Sequence, residues 1–329
     1  MLLVIVFSVM QLNVSLANSA GTSNVTAICI KADGSVEPST APIQYTGNMY
    51  SLTDDIQNCN ITIQRNNIIF NGSGFSLQGP RNANYIVAAI SLACSNVTIF
   101  NFHIFDWTVG VLGIFDNNTV QSNAFSNNNY DVAVYASDYK IIGNKLGSER
   151  IVGNNITIAQ NQIILDDYDT GFWITNCTAL KIESNNITFS KLTTFFISTQ
   201  NSKFQVYHNN FLNIEELTMG TLLYPKSINN IPWDNGVEGN YWSDYEKRYP
   251  QAVEINNSGI GNFTYVSEAA PKIIDNYPLI KPYNYNLPAP PDISEFNWLI
   301  VPIFFVIMLT FAVFLKKLKI KTAIKQAVT

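Results

Sequence analysis

Apolar residues recur at the second and seventh places of a seven-residue pattern, [Thr/Lys/Gln]-[Ile/Val]-x-x-Asn-x-[Ile/Leu/Phe], with mostly polar residues between. The copies are TIQRNNI from Thr62, TVQSNAF from Thr119, KIIGNKL from Lys140, TIAQNQI from Thr157, KIESNNI from Lys181 and QVYHNNF from Gln205. A seventh, TIFNFHI from Thr98, carries its asparagine one place early, at Asn101. Successive copies start 36, 21, 21, 17, 24 and 24 residues apart. A period of roughly 20–25 residues predicts a solenoid, whose repeats bury apolar faces only by stacking on their neighbours. Upstream of most copies lies another apolar run: AISL at 89–92, VLGI at 111–114, VAV at 132–134, FWI at 172–174 and FFI at 195–197.

Three short strands per coil, with β-branched residues inward and Asn, Ser and Gly at the turns, predict an all-β, right-handed parallel β-helix of about seven coils. Each pattern asparagine is expected at the corner between two strands, where it tolerates the left-handed conformation and can bond its amide to the next coil. No L-x-x-L-x-L frame supports a leucine-rich repeat, and the period is too short for propeller blades. This reading places an N-terminal cap at 21–57, the β-helix at 58–213 and a C-terminal cap at 214–283. Caps are required because open strand edges invite aggregation. Phe172–Trp173 and Phe195–Phe196 are expected to stack inside adjacent coils.

The two ends read differently. MLLVIVFSVM, residues 1–10, with small residues at Ala17, Ser19 and Ala20, predicts a signal peptide over 1–20; an uncleaved anchor is the rival. Trp298 to Leu315 carries no charge and is long enough to cross a bilayer. Lys316, Lys317, Lys319, Lys321 and Lys325 follow, which predicts a cytoplasmic tail at 316–329. A Pro-containing stalk at 284–297 would then join an outward-facing ectodomain to a single C-terminal anchor in the cell membrane. Outside that tail stand 14 basic and 24 acidic residues, a net charge of −10. Such a surface argues against nucleic acid and against anionic lipid as partners.

Candidate chemistry is sparse. Asp166, Asp167 and Asp169 in LDDYDTG are the nearest approach to the clustered carboxylates of a polysaccharide-cleaving enzyme, with a polar turn as the alternative. Trp233, Tyr241, Trp242 and Tyr245, interleaved with Asp234 and Asp244, have the composition of a sugar-stacking surface; they would equally plug the open end of the core. Sequons begin at Asn13, Asn24, Asn60, Asn71, Asn96, Asn117, Asn155, Asn176, Asn186, Asn256 and Asn262, so N-glycosylation is a candidate, although the coil pattern itself enriches Asn and Thr. Cys59 and Cys94 precede their copies by three and four residues, which makes them a candidate disulfide; buried free thiols are the alternative. No knuckle spacing suggests zinc, and no cofactor is expected.

ICIKADGSVEPSTAPI (28–43), YSLTDDI (50–56) and NNIIFNGSGFSLQG (66–79) resemble the opening of archaeal exported β-helix repeat proteins. NIPWDNGVEGNYWSDYEKRYP (230–250), GIGNFTYV (259–266) and IIDNYPLIKP (273–282) resemble their closing segment, which is shared with NosD-like periplasmic copper-delivery proteins and with carbohydrate-binding/sugar-hydrolase β-helix domains. The resemblance covers residues 28–282 and implies the fold. For activity it implies copper delivery or carbohydrate chemistry. Against copper, Met49 and Met219 are the only ectodomain methionines and His103 and His208 the chain's only histidines. INNSGIGNF (255–263) has Asn where relatives carry an acidic, calcium-loop-like stretch. The expected function is a membrane-anchored cell-surface module, non-enzymatic, binding glycan or building the envelope. A surface polysaccharide lyase or hydrolase is one alternative and a copper-delivery accessory another.

Overall fold

The computed structural model describes residues 26–81, 86–165, 171–189, 195–214, 223–225, 233–267 and 273–284, all within the compact unit Met1–Asn286. The segments expected to be a signal peptide (1–20), a stalk (284–297, of which only 284 is described), a membrane span (298–315) and a cytoplasmic tail (316–329) lie outside the described residues. Among the described residues no helix is long and apolar enough to cross a membrane.

The strands form three parallel columns, as a β-helix requires. The first column runs through Thr26–Ile30, Cys59–Ile63, Ala88–Leu92, Val109–Gly113, Tyr130–Val134 and Glu149–Val152, then the leading halves of Phe172–Glu183 and Phe195–Tyr207, to Leu223–Pro225. The second runs from Met49–Leu52 through Ile68–Asn71, Val97–Phe100, Thr119–Gln121, Lys140–Ile142 and Ile156–Ala159 to the trailing halves of the same two long strands. The third column is a nine-stranded sheet ending at Tyr241–Trp242.

Two expectations need correction here. The stack has nine levels in its third column rather than seven, because the segment read as an N-terminal cap supplies a strand to every column and Tyr241–Trp242 supplies another. TIQRNNI from Thr62 is also misplaced. Thr62 pairs with Ser91 in the first column, whereas Thr98, Thr119, Lys140, Thr157, Lys181 and Gln205 stand in one unbroken row of the second. Its apolar spacing mimics the pattern because every strand alternates inward and outward residues.

Inward positions stack by type. Ile99, Val120, Ile141, Ile158, Ile182 and Val206 form one fully buried row of the core. Burying one such side chain is worth about 1.5–3 kcal/mol, and the rows repeat it coil after coil. Phe172 is buried and Trp173, its neighbour, is half-exposed, so of this pair only Phe172 faces the core, and the side chains of Phe195 and Phe196 lie outside those described. Successive strand residues must face opposite ways.

The pattern asparagine does not itself turn the corner. Ser122, Gly143, Gln160, Ser184 and His208 adopt the left-handed conformation, each one residue before the pattern asparagine. Asn123, Asn144, Asn161, Asn185 and Asn209 are buried instead, and Asn240 extends their row. From Asn144 onward each Oδ1 accepts the backbone N–H and the Nδ2 of the preceding asparagine, at 2.8–3.1 Å. Each Nδ2 also donates to a carbonyl of the coil before: Ile99, Val120, Ile141, Ile158, Ile182 and Val206. The early asparagine of TIFNFHI is thereby explained. Asn101 takes the left-handed place, with φ 61°, and Phe102 takes the buried one, its N–H donating to Asn123 Oδ1.

Candidate functional site

The C-terminal end of the solenoid gathers most of the residues singled out from sequence. Trp242 continues the inward row of the third column, stacked on Phe211 at 4.4 Å and on Tyr265 at 4.2 Å. Trp233 packs against Phe204, Phe211 and Trp242. Trp233, Trp242 and Tyr245 are each 1% exposed, and Asp234 and Asp244 are buried beside them. Tyr241 faces outward, half-buried. Of the two readings of these rings, burial of Trp233, Trp242 and Tyr245 favours the plug over a sugar-stacking face: they cover the last apolar rung, and Tyr241 alone of the four faces outward.

The carboxylates there are structural. Asp234 accepts from Gly236 N–H and from both nitrogens of Asn276. Asp244 is paired with Arg248. Asp275, fully buried, ends the asparagine row by accepting from Asn240 N–H, Trp242 Nε1–H and Tyr277 N–H at 2.7–3.0 Å. Burial pushes its carboxyl up to about 7, opposed by those three donors. A Cβ on Gly239 would run into this carboxylate, which accounts for the glycine of the GNYW motif.

A cluster of charged and aromatic residues on the surface was not singled out from sequence. Lys181 Nζ lies 2.6 Å from Glu183 Oε1, and Tyr207 OH donates to Glu183 Oε2 at 2.7 Å. His208 follows, its Nε2 2.6 Å from Glu238 Oε2 and its ring stacked on Tyr283 at 4.0 Å. Burial pulls the Lys181 ammonium down, but hydrogen bonds to Glu183 and Tyr207 outweigh it and the pKa is raised. Burial and the bond to Glu183 both raise the Tyr207 phenol. Lysine stays charged and tyrosine neutral, so neither is poised to abstract a proton at neutral pH. The signal was present: Glu183 and Tyr207 occupy the third place of consecutive pattern copies, and that place faces out in one row.

The remaining candidates are dispersed. Asp166, Asp167 and Asp169 lie outside the described residues, as do Asn13 and Asn24. Asn96, Asn117, Asn155, Asn256 and Asn262 are exposed, Asn60, Asn71 and Asn186 half-buried, and Asn176 lies within the strand Phe172–Glu183. The Cys59–Cys94 disulfide is corrected by the strand register, which keeps the two side chains apart. Ile61 pairs with Ile90 and Ile63 with Leu92, so Cys59 precedes one end of that strand pair and Cys94 follows the other. Cys94 donates to the carbonyls of Ile63 and Arg65 instead. The loop at 255–260 is closed by Gly259 N–H donating to Glu254.

Stacked parallel coils, an internal amide row and a plugged end define a parallel β-helix solenoid. The chain belongs to the family described as periplasmic copper-binding protein (NosD), which matches residues 39–247. No curated protein and no solved structure matches it. The described residues do not fit a copper site. Among them no three His, Cys, Asp or Glu side chains converge on one point. His103 is exposed on a third-column strand, and His208 is engaged by Glu238 on a corner.

Proposed function

We propose that this protein is an exported, membrane-tethered β-helix that binds or organises envelope glycan without cleaving it. The observation that carries this reading is the state of its polar groups. In the cap the Asp275 carboxyl is bound to backbone and indole donors and Asp244 is paired with Arg248, and on the surface Lys181 and Tyr207 are both bound to Glu183, which raises the pKa of each. Outward rows meanwhile present Thr98, Thr119, Lys140, Thr157, Lys181 and Gln205 at strand spacing, about 4.8 Å per coil. Such a repeat matches a polymer with regularly placed hydroxyls. The apolar, uncharged run Trp298 to Leu315 and its trailing lysines support a tether in the membrane.

A glycan array probed with the purified full chain tests the reading: binding without release of new reducing ends or unsaturated products is expected. Product release, abolished by replacing Asp166, Asp167 and Asp169 with asparagine, would instead make it a lyase or hydrolase. Family membership favours a second reading, copper delivery. Copper titration addresses it directly, and saturable binding at micromolar concentration would establish it over the glycan reading.

A further inference from the structure

Where the chain passes from the third column to the first, three consecutive coils place Arg81, Asp106 and Asn127 in the left-handed conformation, with φ of 44°, 63° and 53°. Their backbones are joined: Arg81 N–H donates to Asp106 O, and Asp106 N–H donates to Ser126 O. Between them lies a cleft of about 50 Å³, lined chiefly by Arg81, Asp106, Trp107, Thr108, Asn127 and Asn129. It stands well before the C-terminal plug in the stack and shares no residue with it.

Asp106 is only 8% exposed. Its Oδ2 accepts from Gln78 Nε2 at 3.3 Å, but its Oδ1 is buried with no hydrogen-bond donor. The nearest cation, Arg81 Nε, is 3.7 Å away, outside hydrogen-bond range, on a side chain 73% exposed. A buried carboxylate oxygen without a donor is unfavourable, so the cleft calls for a ligand that brings one. Carboxylate and guanidinium together are neutral, which favours neither a free cation nor a free anion. A hydroxyl bridges them: it donates to Asp106 Oδ1 and accepts from Arg81. A single water needs about 10–15 Å³ of such space, so the cleft has room for more than one oxygen.

We infer that this corner cleft is a subsite for a neutral saccharide, seated by adjacent hydroxyls between Asp106 and Arg81 and bordered by the exposed amide of Asn127. The inference rests on the glycan reading above and gives it an address. The test is ligand-observed NMR titration of neutral oligosaccharides into the detergent-solubilised full chain, its Asp106→Asn variant and its Arg81→Ala variant. Asparagine tolerates the left-handed backbone, so Asp106→Asn is expected to melt with the parent. Its saccharide affinity is expected to fall tenfold or more, and that of Arg81→Ala severalfold. Equal affinity in parent and Asp106→Asn overturns the subsite while leaving glycan binding elsewhere intact. No saccharide binding to the parent overturns both readings and leaves water as the occupant. A calcium-induced rise in melting temperature in the parent but not in Asp106→Asn, without saccharide binding, overturns the subsite in favour of a cation.

Discussion

Two corners of the same coils are built from asparagine for opposite reasons. At one, Asn123, Asn144, Asn161, Asn185, Asn209 and Asn240 are buried, and their amides satisfy backbone groups that no strand partner reaches. At the other, Asn67, Asn96, Asn117, Asp138 and Asn155 are exposed and left-handed, with φ between 54° and 63°. These residues also link across coils: Asn96 Nδ2 donates to Asn67 Oδ1, and Asn155 Nδ2 donates to Asp138 Oδ1. The first corner exploits what the side chain can bond, and the second exploits what the backbone can adopt. One residue type thus answers two physical problems. The distinction can be broken by experiment.

Asn161→Leu should have the largest effect. It strips the partner from Asn144 N–H and from Ile141 C=O inside the core, which costs on the order of 3–5 kcal/mol. Urea unfolding measures it. Asp275→Asn should come next, at roughly 1–3 kcal/mol above pH 7, because an amide cannot accept on both sides as the carboxylate does. This variant also carries a pH signature. The Asp275 carboxyl is raised when folded, to about 7, above its unfolded value of 3.8, so folding takes up a proton between those limits. Its contribution to stability is present at low pH and declines as pH rises towards 7. The parent should therefore lose stability relative to Asp275→Asn across that window, and a pair of parallel melting curves against pH would contradict the assignment.

Asn117→Val should cost about 1–2 kcal/mol, since a β-branched residue resists the left-handed conformation, whereas Asn117→Gly should be nearly neutral. If Asn117→Val proves as damaging as Asn161→Leu, the two corners are not distinct. The smallest effect concerns the thiols. Burial pushes Cys94 and Cys177 up to about 11, so these two thiols should react slowly with iodoacetamide in the native protein.

The columns were legible in the sequence because inward alternation and a repeated corner leave a periodic trace. Six of the seven pattern copies fall in one row of the second column. The Thr62 copy misled because alternation alone cannot say which column a strand joins; that depends on loop lengths such as the long step from 62 to 98. The role of the pattern asparagine was half legible. Its amide stacking could be anticipated, but the left-handed duty falls on the residue before it, whose identity varies among Ser, Gly, Gln and His. The exposed corner also accounts for several sequons. Asn96, Asn117 and Asn155 stand two residues before strand threonines Thr98, Thr119 and Thr157, so the turn writes the sequon whether or not sugar is attached. The aromatic cap was legible in composition only, since burial separates a plug from a sugar platform.

The buried amide row has a direction, and its two termini are chemically marked. Phe102, with no side-chain amide, receives nothing from a preceding rung, while Asp275 as the carboxylate can only accept and so offers nothing to a following one. Everything between these two stations repeats the same reciprocal handshake. A length variant of this protein can therefore arise by inserting or deleting whole cassettes between Phe102 and Asn240, with start and stop signals untouched, whereas extension past Asp275 would require a new terminator.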